Sequence, residues 1–488
     1  MQTLPPEFIK LIDSYGFEPF GGLADTLCGT APAVSVRLNP DKAVFTEAAE
    51  RGSAVGWCPL GRYLDSRPVF AFDAAWHGGD YYVQDASSMA VGAAVEFLVR
   101  QYFTADDGTV APGVYLDACA APGGKTIAAL DALPHSWFVL ANEYDFRRAN
   151  ILAENLSKRG LMNHAVSRGD TSRIGRLHGL FDIIAADVPC SGEGMMRKDP
   201  QATAQWTPAL TMECAALQRE IVGNLWDALR PGGFLIYSTC TFNRRENEDN
   251  IEFFVREYGA EGVSLPAGLF PDAAGGIECA LPCLRFIPGR TRGEGLFMCV
   301  LRKPDGETCG KRQGGKKNRN ARPAARPAGE ILRFAQRHLA LEPDAYELSE
   351  CCGTAISFVP AGRGALVKTL CDTLDMVSCG TALAEPKGRE LSPCHDLAQS
   401  VYLRRDSFPE AALPYHAAMR YLRGEALAGL PDGLPTGFIT VSCDGSLLGF
   451  AKNIGRRANN LYPAGRRLHS EAPETPPTPI TTNISQRR

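Results

Sequence analysis

The sequence predicts an α/β protein whose largest part is a doubly wound sheet, and three observations carry that expectation. Between residues 91 and 301, short apolar runs alternate with helical patterns, as a sheet with crossover helices requires. Acids stand at the ends of successive strands: Asp117, Glu143, Asp170 and Asp187. The first of those strands, Val114-Tyr115-Leu116-Asp117, opens into Ala-Cys-Ala-Ala-Pro-Gly-Gly-Lys-Thr before the helical Ile127-Ala128-Ala129-Leu130. Such a strand–turn–helix lets a backbone approach a ligand at the carboxyl edge of the sheet.

The turn is not a Walker A loop, because Cys119 stands where its first glycine belongs, and it is not Gly-x-Gly-x-x-Gly. By itself a Gly-Gly turn after a strand is more often structural than catalytic.

Going through the chain in order, residues 1–90 read as a small α/β unit. Phe8, Ile9, Leu11 and Ile12 suit an amphipathic helix, and Val34 to Leu38 alternate as a strand does. A helix is expected after Tyr81-Tyr82-Val83-Gln84-Asp85, capped near Ser87. Within 91–303 the strands are those ending at Asp117, 137–142, 165–167, 181–186, 233–238 and 295–300. Helices are expected over 145–159 and 210–229, the latter stopped by Arg230-Pro231-Gly232-Gly233. Residues 304–328 read as a basic linker, 329–410 and 411–468 as further α/β segments, and 469–488 as a disordered tail.

Composition is that of a globular protein of several domains: 488 residues, 45% hydrophobic and 22% charged. The net charge of −4 conceals a basic strip, since residues 302–327 hold nine Lys/Arg against Asp305 and Glu307. Nucleic-acid contact and a solvated linker both account for such a strip. No apolar run is long enough for a membrane helix, and the first residues lack signal-peptide character. The 16 cysteines are therefore expected reduced, in a cytoplasmic protein, and their spacing predicts no metal site.

Two cysteines depart from the default of a buried small hydrophobe. Cys190, in Asp187-Val-Pro-Cys-Ser-Gly-Glu-Gly194, and Cys240, in Tyr237-Ser-Thr-Cys-Thr241, each lie just past a strand beside Ser, Thr and Gly. A partly exposed polar setting is where a thiolate is useful. For any single acid at a strand end a helix cap is the commoner role; four in register suggest a cofactor edge. There an acid after the second strand suits a ribose diol, and one after the third an adenine amino group.

Together the stretches 117–126, 187–194 and 238–241 resemble the RNA (cytosine-5) methyltransferases of the Nop2/Sun family, most closely the bacterial RsmF type. Arg197-Lys-Asp-Pro200, Asn243-Arg-Arg-Glu-Asn-Glu248, Ser35 to Pro40 and Tyr81 to Met89 extend the resemblance across residues 1 to about 303. Residues 445–455 and 460–463 are similar to the PUA-like module of RsmF-type enzymes, while 329–410 match least clearly. Val188 and Gly289 depart from the usual Ala and His.

The resemblance implies a Rossmann-like methyltransferase domain that uses S-adenosylmethionine (SAM), with an N-terminal RNA-binding domain and a C-terminal PUA-like domain. It implies a cofactor site formed by Cys119, Ala120, Ala121, Pro122, Gly123, Gly124, Lys125, Glu143, Asp170 and Asp187. It further implies that Cys240 is the nucleophile and Cys190 the helper that releases product, with Asp187 and Lys125 beside the base. The residues alone leave the order of the two thiols open. The implied partner is RNA, 16S ribosomal RNA or the small subunit, and neither DNA nor a membrane. A monomer is expected.

Arg37, Lys452, Arg456, Arg457, Arg466 and Arg467 are candidate RNA backbone contacts, with Tyr462 a candidate stacking residue. Two alternatives share these features: the same reaction on transfer RNA or another ribosomal site, and a non-catalytic RNA-binding assembly factor.

Overall fold

The computed structural model describes residues 3–16, 21–50, 52–306, 329–388, 390–431 and 433–484. Its centre is a nine-stranded sheet. Five neighbouring strands are parallel, in the order Leu229–Thr239, Phe181–Asp187, Val114–Asp117, Phe138–Glu143 and His164–Arg168. These strands are buried almost throughout, which is why they read as apolar runs rather than as alternating patterns.

Chain order reverses between Val114–Asp117 and its neighbour Phe181–Asp187, and a doubly wound sheet offers its ligand crevice at such a switch point. Asp117 and Asp187 are the last residues of these two strands.

Two apolar layers cover the sheet. Helices Ala86–Leu98 and Gly124–Ala132 pack on one face. Helices Pro208–Trp226, Glu248–Tyr258 and Gly364–Thr373 pack on the other. Caps define the helix starts: Asp85 accepts from Ser88 N, Asp145 from Arg148 N and Thr207 from Leu210 N. The cap expected near Ser87 is thus Asp85.

The helix expected over 210–229 runs from Pro208 to Trp226, and Pro231-Gly232-Gly233 does not stop it. Those residues lie inside the strand Leu229–Thr239, where the register against Phe181–Asp187 shifts between Leu229 and Phe234. Gly232 accommodates the irregularity at φ +71°.

The N-terminal unit forms a four-stranded antiparallel sheet with Val34–Leu38 between Cys58–Leu64 and Tyr81–Val83. Helix Pro6–Ser14 buries Phe8 and Ile12. Beyond the nine-stranded sheet, residues 346–393 build a second antiparallel sheet, and strand Asp375–Cys379 leaves it to pair with His164–Arg168. The large sheet therefore draws a strand from the α/β segment 329–410. The segment 410–460 closes on a four-stranded sheet of its own.

Two further expectations are overturned. Cys351 and Cys371 are joined in a disulfide, so not every cysteine is free as the reduced-thiol reading requires. The tail is ordered as far as residue 484: Thr481–Asn483 pairs antiparallel with Ala43–Phe45, and Ile480 is buried. Backbone pairing and one apolar anchor outweigh the Pro/Thr composition that suggested disorder. Most of the basic strip, residues 307–328, lies outside the described residues.

Candidate active site

The turn after Asp117 is held by backbone pairing with neighbouring strand ends. Ala118 N donates to Ala185 O and Ala120 N to Asn142 O, both at 2.9 Å. Gly123 turns the chain at φ +110°, where a side chain would be strained and would press on Leu152. The loop then enters helix Gly124–Ala132.

A cavity of about 150 Å³ opens over this loop. Cys119, Ala120, Ala121, Pro122, Gly124 and Lys125 line it, with Asp117 and Asp187 from the strand ends. Tyr82, Gln84 and Asp85 of the N-terminal unit also line it, a contribution the sequence reading did not assign. Asp117 is buried and accepts from Thr126 Oγ1 at 2.7 Å; burial pushes its carboxyl up to about 7. Burial likewise pushes the Cys119 thiol well up, which makes it an unreactive part of the wall.

Glu143 approaches the loop from behind. Its Oε2 accepts Ala121 N at 3.3 Å and its Oε1 accepts Asp145 N at 3.0 Å. Arg148 spans both groups, donating to Ala121 O at 2.8 Å and lying 3.5 Å from Glu143. Sequence reasoning missed Arg148, because nothing in its helical position marks it out. Asp170 is exposed, caps the short helix Thr171–Ile174 through Ser172 N, and is not among the cavity-lining residues.

The two singled-out thiols meet. Cys190 Sγ and Cys240 Sγ are 3.2 Å apart, within sulfur hydrogen-bond range. Each is partly exposed. The hydrogen bond to Cys240, followed by burial, pushes the Cys190 thiol well up.

Beside this pair, Lys125 Nζ donates to Asp187 Oδ2 and Ser238 Oγ to Asp187 Oδ1, both at 2.8 Å. Burial pulls the Lys125 ammonium down, but Asp187 more than offsets it and the net shift is up. Asp187 and Ser238 are register partners, which explains how one strand pair can present both the acid and the cysteine that follows two residues later.

The candidate RNA contacts divide. Arg456 and Arg457 are exposed, beside exposed Ile454, on the turn linking Ser446–Asn453 to Ala458–Asn460. Lys452 is half-buried and paired with Glu390 at 2.5 Å. Arg466 lies 3.7 Å from both Glu154 and Asp396, and Arg467 is half-buried.

Arg37 and Tyr462 are corrections. Arg37 is 3% exposed and is bound to Asp131 and Gln84, a buried ion pair between the N-terminal unit and helix Gly124–Ala132. Tyr462 is also 3% exposed, packed with Tyr421 and His77, so its ring offers no face for a base.

Three stretches of the chain match family models. Residues 110–302 match the family "16S rRNA methyltransferase RsmB/F", 408–468 match "Methyltransferase RsmF PUA domain", and 4–86 match "N-terminal domain of 16S rRNA methyltransferase RsmF". A ribosomal RNA small subunit methyltransferase F of Cronobacter sakazakii is 37% identical over 290 residues, covering 55% of this chain and 56% of that protein. One from Salmonella paratyphi A is 39% identical over 256 residues, covering 51% of each. The chain thus aligns with about half the length of the curated relatives it matches. The solved structure of PH0851 is 21% identical, with a TM-score of 0.54 over 62% of this chain and 66% of that one, a likeness of fold. Residues 110–302 are thus similar to the RsmB/F methyltransferases, and the stretches on either side to the N-terminal and PUA domains of the RsmF type.

Proposed function

We propose that this protein methylates carbon 5 of a cytosine in 16S ribosomal RNA, using SAM and a transient cysteine–RNA bond. The observation that carries the reading is the pair of sulfurs at 3.2 Å beside the Lys125–Asp187 ion pair. A protein or small-molecule methyltransferase has no use for two such thiols. A binding factor without turnover has no need to keep them together.

The residues present fit the cofactor. A loop of small residues brings its backbone close to the cavity at a helix start, with Asp117 buried below it and Glu143 behind. When bound, SAM supplies the electrophilic methyl group.

Carbon 5 of cytosine is a poor nucleophile, and the chain's thiols answer that difficulty. Cys240 attacks carbon 6 as thiolate, which makes carbon 5 enamine-like and able to accept the methyl group. Lys125 and Asp187 stand where they can hydrogen-bond the ring edge and stabilise charge that develops there. Cys190 then serves as base, directly or through water: it takes the carbon 5 proton as the carbon 6–sulfur bond breaks and frees Cys240. Cys190 gives its own proton to solvent while the adduct stands, takes the carbon 5 proton to return to the thiol as Cys240 leaves as thiolate, and one proton is released for each methyl transferred.

A cytosine within a helix is out of reach, so the target is single-stranded, looped or flipped. Arg456 and Arg457 on their exposed turn are the best-placed backbone contacts. The same reading puts the protein in the cytoplasm with its substrate. The test is transfer of labelled methyl from SAM to ribosomal RNA of cells lacking this gene, followed by bisulfite sequencing. One new 5-methylcytosine in 16S RNA supports the reading. Label in transfer RNA alone would redirect the substrate, and no label on RNA or on small subunits would refute the activity.

A further inference from the structure

Two buried carboxylates next to the thiols take no part in the chemistry above. Glu193 lies on the Cys190 loop and Glu246 follows Cys240; both are 0% exposed. Each reaches across to the other loop. Glu193 Oε2 accepts Phe242 N at 2.6 Å and Asn243 N at 2.9 Å, amides just beyond Cys240. Glu246 Oε2 accepts Ser191 N at 2.9 Å, the amide that follows Cys190, while its Oε1 accepts the Ser191 hydroxyl.

The exchange is braced on both sides. Gln218 Nε2 donates to Glu246 at 2.8 Å and to Pro189 O at 2.9 Å, so the peptide groups before and after Cys190 are both held by this network. Asn243 Nδ2 bridges the two carboxylates, at 2.9 Å from Glu193 and 2.6 Å from Glu246. The loops touch directly where Gly194 N donates to Cys240 O at 2.7 Å. A Cβ on Gly194 would stand 2.6 Å from that oxygen, so the contact depends on glycine.

The geometry points to Glu193 and Glu246 as positioning residues that set the spacing of the two sulfurs, and through it the rate at which Cys190 resolves the Cys240 adduct. This rests on the reading given under Proposed function. Every group hydrogen-bonded to the Glu246 carboxylate is a donor or a hydroxyl able to donate, and a carboxylate, with no hydrogen of its own, accepts from all of them. Substituting an amide turns one acceptor into a donor set against donors. That loosens the peptide beside Cys190 but leaves both sulfurs and the cofactor loop in the chain.

A misplacement of about 1 Å in a reacting group costs on the order of a hundredfold. Glu246→Gln is therefore expected to slow adduct release by about 10- to 100-fold while adduct formation changes by less than about threefold. A SAM-dependent protein–RNA band should accumulate, and Cys190→Ala/Glu246→Gln should release no more slowly than Cys190→Ala alone, because both act on one step. A purely structural role would instead lower formation and release by the same factor.

A second readout needs no RNA. Diamide oxidises two neighbouring thiols to a disulfide and is itself reduced to the hydrazine, and the cross-linked 190/240 peptides are read by mass spectrometry. Closure is expected about tenfold slower in Glu246→Gln and in Glu193→Gln than in wild type. Equal closure rates, or loss of cooperative folding in both variants, would overturn the proposal. If wild type neither methylates RNA nor forms an adduct, the functional reading fails, while the diamide rates still decide whether these carboxylates set the sulfur spacing.

Discussion

Cys190 and Cys240 lie 50 positions apart in the chain and 3.2 Å apart at their sulfurs. The contact follows from the sheet: Phe181–Asp187 and Leu229–Thr239 are adjacent parallel strands, so the loops leaving their carboxyl ends emerge side by side. Lys125 arrives from the next strand's turn and pairs with Asp187 between them.

Replacing Asp187 by Ala leaves the Lys125 ammonium without its carboxylate. The Lys125 side chain is 16% exposed and that of Asp187 31%, so the loss should be about 2 kcal/mol, less than for a fully sealed pair. Urea unfolding measures it. Methyl transfer should fall at least about a hundredfold. A Lys125→Met/Asp187→Leu protein should recover stability without recovering activity.

Arg37→Ala should cost about 1.5–3 kcal/mol, because buried Asp131 loses one of its two guanidinium partners and keeps Arg159. The salt dependence of RNA binding should not change. Arg456→Ala/Arg457→Ala should do the reverse, with little effect on stability and a salt slope shallower by about 2 if each arginine meets one phosphate. Thermal melts and binding titrations at several salt concentrations separate the two.

The tail strand makes a further prediction. Ile480 is 7% exposed and packs with Phe45 and Phe70, so Ile480→Ala should destabilise the protein by about 2–3 kcal/mol. Hydrogen exchange at the amides of Ala43–Phe45 should quicken. A disordered tail would leave both unchanged.

His77 is held neutral: burial, then the Lys158 ammonium, pull its pKa from the usual 6.5 to about 3, against a weaker opposing bond to Ala71 O. The unfolded chain therefore binds this proton first as pH falls. The stability linked to the neutral ring is intact above pH 6.5 and is lost towards pH 3, at up to about 1.4 kcal/mol per pH unit. His77→Gln should flatten the loss of stability between pH 6.5 and 5, read from urea midpoints. Unchanged slopes would show that the ring, which faces Tyr462 and Lys158, carries none of it.

The central sheet was legible because buried parallel strands read as apolar runs, and acids closing them mark one edge. The loop 119–125 and both cysteines were legible as motifs. Their contact was not, since sequence spacing does not report which strands are neighbours. Arg37 and Tyr462 read as surface residues because burial of a polar side chain depends on partners far along the chain: Asp131 for one, His77 for the other. The tail was misread because its order comes from a strand more than four hundred residues earlier. Arg148 meets the loop through a backbone carbonyl, which leaves no signature in residue type, and Glu193 and Glu246 stand inside quoted motifs whose spacing does not show that each reaches across to the other loop.

The most direct measurement is a denaturing gel of Cys190→Ala protein incubated with SAM and RNA from cells lacking this gene. A SAM-dependent protein–RNA band that vanishes in Cys190→Ala/Cys240→Ala is the predicted result. Methylation by a Cys240→Ala protein, or a band that persists without Cys240, would contradict the account.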